Sequence, residues 1–225
     1  MIRQVALLSL REGVSAEGAA ALEGALAGAA SAIAPLSHSQ VGRHLEGSLC
    51  ADYTWDACFP GAAPPLEALL AEPCLAPFFD LARPDAVVAE VDAVRFVPQA
   101  AHVPAPGIRD FVKRTLFLRV FDATPDEIRE RFEGDLRRMP AYVSTIRNWA
   151  LSRSDSSVQP TPWTHVFEQE FDDVEGLLGE YMLSPFHWGY IDGWFDPECP
   201  QRIVDTHLAH VFCPAQTSIL AWSEA

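Results

Sequence analysis

The segment Tyr181-Met182-Leu183-Ser184-Pro185-Phe186-His187 sets a phenol and an imidazole on either side of a helix-breaking proline. An imidazole titrates near neutrality and can take or return a proton; a phenol can orient it or donate to a developing oxyanion. A second imidazole, His165, lies in the alternating stretch Trp163-Thr164-His165-Val166-Phe167-Glu168-Gln169-Glu170-Phe171. Strand periodicity puts Trp163, His165, Phe167, Gln169 and Phe171 on one face and Thr164, Val166, Glu168 and Glu170 on the other. A histidine between aromatics is either a core group with one partner or a pocket residue, and spacing alone leaves both open. Phe186, Trp188, Tyr190, Trp194 and Phe195 crowd around His187. That density suits stacking on an aromatic ligand, and equally an ordinary core. The chemistry these types support is general acid/base catalysis. His187, Tyr181 and His165 are the catalytic candidates, and Trp163, Phe167, Trp188 and Tyr190 the candidate substrate contacts.

The elements that must position these groups repeat. The Pro-rich stretch Pro98 to Gly107 divides the 225 residues almost in half. Leu22-Glu23-Gly24-Ala25-Leu26 matches Phe132-Glu133-Gly134-Asp135-Leu136, and Arg95-Phe96-Val97-Pro98 matches Val211-Phe212-Cys213-Pro214. Glu72-Pro73 matches Ser184-Pro185 and Phe59 matches Phe171, both at an offset of 112. In the second half, Val112 to Phe121 reads as a strand. Thr124-Pro125-Asp126-Glu127 reads as a helix start with Thr as N-cap, ahead of a face of Ile128, Phe132, Leu136 and Met139. A strand near Ile146 to Leu151, a polar loop from Arg153 to Pro162, and the strand Trp163 to Phe171 follow. Asp172-Asp173-Val174-Glu175 opens a second helix bearing Val174, Leu177, Leu178 and Tyr181, and a last strand falls near Val204 to Phe212.

The order β-α-β-β-α-β is the ferredoxin-like split unit. The first half gives it with weaker signals: an Ala-rich helix over about Ala16 to Ala34 and a short one over about Pro65 to Leu70. The expected fold class is therefore α+β, two tandem ferredoxin-like units packed sheet to sheet as an intrachain α/β barrel with a hydrophobic interior. The boundaries are 1–98 for the first repeat, 99–110 for a linker, 111–214 for the second repeat and 215–225 for a tail. By the offset of 112, Tyr181 maps to Leu69, His187 to Leu75 and His165 to Tyr53. One site per chain is expected, in the second repeat, with the first as cap and barrel wall.

A formal net charge of −15 argues against nucleic acid and against an anionic membrane surface. The apolar run at the N-terminus is short and followed by Arg11 and Glu12, and no run is long enough to span a bilayer, so the reading is a cytoplasmic protein. Five cysteines without a C-x-x-C pair suit reduced thiols. His207 and His210, three apart on a strand, point to opposite faces and are not a metal pair. No nucleotide, metal-protease or nucleophile-elbow motif occurs, and neither metal nor other cofactor is expected.

The stretch Trp163 to Phe171, the acidic helix start after it, and the helix-ending Y-x-x-x-P-x-H of Tyr181, Pro185 and His187 resemble the stress-responsive dimeric α/β-barrel (Dabb) family. The resemblance covers most of the second half, from about Val112 to Pro214, and the first half in layout only. Members usually dimerise to build the barrel, so a tandem copy implies a pseudo-dimer within one chain, with a further homodimer left open. Cofactor-free, polyketide-cyclising members use a His and a Tyr at the end of the second helix as an acid/base pair and a His on the third strand in the same pocket. Those positions here are His187, Tyr181 and His165. Such members also carry a His on the first strand, where this chain has Arg114. Arg114 and Arg119 are candidate partners for a substrate carboxylate. The resemblance implies a lyase-type enzyme (cyclisation, decarboxylation or carbon–carbon cleavage) on an aromatic or phenolic molecule. The alternative is a non-catalytic small-molecule-binding or stress-associated barrel.

Overall fold

Two copies of one β-α-β-β-α-β path make up the chain in a computed structural model that describes residues 1–80, 82–83, 86–155 and 161–223. The first copy runs β1 (Ile2–Leu10), α1 (Ala16–Ala32), β2 (His38–Arg43), β3 (Tyr53–Phe59), the short helices α2 (Leu66–Leu70) and α3 (Ala76–Phe79), and β4 (Val88–Phe96). A short β5 (Ala100–His102) follows. The second copy runs β6 (Phe111–Leu118), α4 (Asp126–Arg138), β7 (Ile146–Arg153), β8 (His165–Phe171), two π-helical segments (Gly176–Tyr181 and His187–Ile191), and β9 (Ala209–Ala215). The sheets are antiparallel, in the orders β2-β3-β1-β4 and β5-β7-β8-β6-β9. Each holds the ferredoxin-like order. β5 lies within the stretch read as linker and extends the second sheet by pairing with β7.

Each sheet buries one face under its own helices. In the first repeat α1 is capped by Ser15, whose side chain accepts from the Gly18 amide. Its small face of Ala19, Leu22, Leu26 and Ala29 lets it lie close against Ala6, Leu8, Tyr53 and Trp55. In the second repeat α4 packs Phe132 and Leu136 against Leu116, Phe167 and Phe212. The expected cap at Thr124 is not formed: Pro125, in an extended conformation, takes the N-cap position and no side chain bonds the first turn. The expected second helix is π-wound, with Leu177 and Tyr181 buried but Val174 and Leu178 exposed. Its larger turn moves those two off the apolar face predicted with a 3.6-residue period. Gly176 fits closely there: a Cβ would come 3.0 Å from the Thr145 Cβ, so a larger residue would push Thr145 aside by a few tenths of an ångström.

The sheets pack against each other through their other faces. Val5, Leu7, Val94 and Phe96 meet Phe117, Val166 and Val211. Trp163 belongs to this layer too, its indole N–H donating to Asp92 at 2.8 Å. It therefore lies opposite Phe167, not beside it as alternation predicts, because β8 starts only at His165. The last strand starts at Ala209, Val204 making an isolated bridge to Val120. The aligned pair Phe96 and Phe212 face different layers, and the register pairs Gln4 with Arg95 where Arg114 pairs with Phe212. The C-terminal repeat alignment is thus off by one residue.

The interior between the sheets is not uniformly hydrophobic. Arg3 reaches Asp56 at 2.5 Å and Glu168 at 2.6 Å, and Lys113 reaches Asp56 at 2.6 Å and Glu168 at 3.1 Å, all four buried. Each repeat supplies one base and one acid from matching strands. Burial opposes the charges of Arg3, Asp56 and Lys113, yet the opposite charges around them hold Arg3 and Lys113 above and Asp56 below their ordinary pKa values. Glu170, Asn148 and Ser218 form a second buried polar chain beside them. Where β2 and β9 meet, Gly42 is obligatory: a Cβ would stand 2.3 Å from the Cys213 sulfur.

Candidate active site

The site lies on the helix side of the second sheet. Antiparallel register sets Arg114 and Leu116 of β6 opposite Phe212 and His210 of β9, so all four share the face under the helices. The segment Gly176–Tyr181 delivers Tyr181 onto this face, and the segment His187–Ile191 brings His187 back over it. π-helical turns recur at functional sites because they redirect side chains within a helix. Together these residues, with Leu136, Met182, Ile191, Asp192, Phe195 and Leu208, line a cavity of about 270 Å³. That is room for roughly nine waters. Leu49, 59% exposed, comes from the β2–β3 loop of the first repeat and closes the rim. Backbone bonds from Leu45 to Phe212 and from Leu49 to His210 fix that loop along β9. Its turn passes through positive φ at Gly47, Cys50 and Ala51.

The Tyr181 and His187 rings meet edge-on, 4.9 Å between centroids. His187 Nδ1 is 3.1 Å from the Asp192 carboxylate, out of line for a hydrogen bond. Burial pushes His187 below the usual histidine range, opposed by Asp192 and helped by Arg114. Burial pushes Tyr181 above the usual phenol range, only partly offset by Arg114. At neutral pH the pair is therefore a neutral imidazole and a protonated phenol. His210 is driven down to about 3, first by burial and then by the charges of Arg114 and His187. The Arg114 guanidinium lies over the Tyr181 ring at 5.0 Å and donates to Gln169 at 2.5 Å.

The other expected site residues stand apart. His165 is buried with both ring nitrogens engaged, Nδ1 with the Thr164 hydroxyl at 2.8 Å and Nε2 with Glu133 at 3.0 Å. It borders a separate recess with Arg119, Arg129 and Arg153. The first repeat repeats this contact: Tyr53, at the matching β3 position, donates to Glu23 of α1 at 2.6 Å. Phe167 is core, Trp163 lies between the sheets, and Trp188 and Tyr190 are exposed beside the cavity. Tyr190 stacks on Phe186 and Phe186 on Tyr142, under the Arg138 guanidinium. His210 was not singled out from sequence, although the last strand's alternation with Arg114 and Leu116 carries the signal. His207 points elsewhere, stacked on Trp163. Among the described residues no three His, Cys, Asp or Glu side chains are grouped to hold a metal ion. All five cysteines are free. No helix among the described residues is long and apolar enough to cross a membrane.

Residues 112–205 match the stress responsive A/B barrel domain, a span that holds β6 to β8, α4 and the Tyr181 and His187 segments and stops short of β9. The second repeat thus matches a stress responsive A/B barrel domain, and it is joined in tandem to a first copy of the same fold. No curated protein matches the sequence. Solved structures match over both repeats. An anthrone oxidase-like protein aligns at 11% identity with a TM-score of 0.64, covering 95% of this chain and 90% of its own. A candidate monooxygenase from Fusobacterium nucleatum aligns at 9% identity and a TM-score of 0.60, covering 96% and 95%. Another from Lactobacillus acidophilus aligns at 12% and 0.57, covering 96% and 97%. At these identities the likeness is one of fold.

Proposed function

We propose that the second repeat is a cofactor-free acid/base enzyme of lyase type acting on a small aromatic or phenolic molecule. The observation that carries this reading is the Tyr181–His187 contact at a mostly apolar cavity of about 270 Å³. Burial separates their proton affinities in the useful sense, a base free to accept and an acid free to donate. His187 takes the proton from a phenol or an activated carbon. Tyr181 donates a hydrogen bond to the oxygen on which charge develops. The electron pair released at the first atom drives cleavage or closure at the second, and the proton returns from His187 to the product. The apolar walls of Leu116, Leu136, Ile191 and Phe195 keep water from competing. His165, held by Glu133 and Thr164 outside this cavity, falls to the scaffold in this reading.

The test is turnover of a panel of phenolic acids and aryl ketones by the native protein and by His187→Ala. Loss of about 10²–10⁴-fold is expected, with the melting temperature within a few degrees of the parent. Equal turnover in the variant would sink the assignment. Saturable binding with no turnover by the native protein would instead identify a binding barrel. Oxygen uptake followed on the same substrates separates the lyase from an oxygenase, the activity named for the candidate monooxygenases of like fold.

A further inference from the structure

Four basic side chains are buried among the described residues, Arg3, Arg95, Lys113 and Arg114. Arg95 lies outside the cavity, donates to the Gln4 amide oxygen and the Pro64 carbonyl, and has the Asp155 and Glu67 carboxylates acting on it. Arg3 and Lys113 each have two carboxylates, Asp56 and Glu168, against them. Arg114 has none. Its contacts are neutral, the Gln169 amide oxygen and the Tyr181 ring, and its Nε has no hydrogen-bond partner. A buried charge without a partner costs free energy that a fold does not ordinarily tolerate. Arg114 nevertheless lines the cavity that Tyr181 and His187 share. The two histidines beside it carry no compensating negative charge, and Asp192, the one acid in the lining, is half exposed at the rim and faces His187. The cavity floor is thus a guanidinium waiting for an anion.

We infer that the site takes a monoanionic ligand, an aromatic carboxylate whose carboxyl group docks on the Arg114 guanidinium while the ring fills the apolar part of the cavity. This rests on the reading of the cavity as the substrate site and narrows it from aromatic molecules to aromatic acids. A guanidinium presents paired N–H donors in a plane that matches a carboxylate. Leu116, Leu136, Ile191, Phe195 and Leu208 supply walls for one ring. The first repeat lacks the demand: its residue at the matching β1 position is the uncharged Gln4. The alternative is that Arg114 only braces Tyr181 and Gln169, in which case removing it should loosen the fold and leave ligand choice alone.

Titration calorimetry with 4-hydroxybenzoate and its neutral isostere 4-hydroxybenzamide separates the two. The native protein is expected to bind the acid at least about tenfold more tightly than the amide, the worth of roughly one charge-assisted contact. In Arg114→Met the preference should shrink below about twofold, with a melting temperature equal to or above the parent, because an apolar chain of similar length replaces an unpaired charge. His187→Ala should keep the preference, so that a failed search for turnover does not decide this question. Equal binding of acid and amide by the native protein, or no binding of either at millimolar concentration, overturns the inference. So does a preference that survives in Arg114→Met, or a loss of melting temperature there with ligand choice unchanged.

Discussion

The helix sides of the two repeats follow the same path and end in opposite states. In the first, Leu69 and Leu75, at the positions matching Tyr181 and His187, are buried in an apolar cluster that Phe79 completes. In the second, a phenol, an imidazole and a guanidinium surround open space. The contacts that both repeats keep are of another kind. Tyr53–Glu23 and His165–Glu133 tie the third strand to the first helix, and Arg3, Asp56, Lys113 and Glu168 tie sheet to sheet. The fold therefore needs the clamps and the seam, and it does not need polar groups over the helix face. Where polar atoms are buried there without a partner, as at Arg114 Nε and His187 Nδ1, stability is being given up, and function is the ordinary reason.

The comparison breaks first at the seam. Glu168→Gln leaves two bases facing one acid in a site closed to water, and should cost about 3–5 kcal/mol in a urea unfolding curve, destabilising both repeats in one transition. Two separated transitions, the first repeat unchanged, would show that the quartet does not join the halves. The matched double change Lys113→Met with Glu168→Leu should recover most of the loss, because it removes a base and an acid together.

The fold was legible in the sequence because its signals are local. Alternation, the acidic helix start at Asp172-Asp173 and the repeated Glu-Gly pairs in the helices at Glu23 and Glu133 each show in a short window. The seam was not legible: Arg3, Asp56, Lys113 and Glu168 are far apart in sequence, and nothing local distinguishes a buried ion pair from two surface charges. Tyr181 and His187 could be found because they bracket one proline. His165 was legible as a buried histidine, but only Glu133, 32 residues earlier, decides that it faces a helix and not the cavity. His210 reaches the site through the register of β9 on β6, which alternation shows only once that pairing is known, and Leu49 reaches it through contact between repeats, which has no one-dimensional signature. The stretch Arg153 to Pro162, read as a polar loop, lies partly outside the described residues.

A smaller break is available through pH. His210 has a folded pKa of about 3 against an ordinary 6.5. Below pH 6.5 the unfolded chain binds a proton that the folded chain refuses, so stability falls as pH drops from about 6.5 toward 3. The slope is at most about 1.4 kcal/mol per pH unit for one proton. Urea midpoints taken from pH 7 to pH 5 should decline for the native protein and decline less for His210→Gln. Parallel curves for the two proteins would mean that His210 charges as readily in the fold as outside it. The filled helix face of the first repeat offers no such group.

The smallest expected effect separates a clamp from a catalyst. If His165 and Tyr53 are the same device, losing either should cost stability and nothing else. Tyr53→Phe removes one hydrogen bond to the partly exposed Glu23, worth about 0.5–1.5 kcal/mol. His165→Gln weakens a bond to a carboxylate, worth about 1.5–3 kcal/mol. That carboxylate is itself informative. Burial alone would raise Glu133, but the bonds from His165 and Arg153 overcome it and hold it at about 2. Its stabilising contribution is complete above the ordinary glutamate range near 4.5 and is lost as pH falls toward 2. His165→Gln should therefore also flatten the acid limb of stability between those two values. Ligand affinity and turnover should stay within about twofold, since the side chain does not reach the cavity. A fall in turnover of the size that general acid/base groups provide, about 10²-fold or more, would instead return His165 to the chemistry. It would also mean that the two repeats, alike in this contact, have put it to different uses.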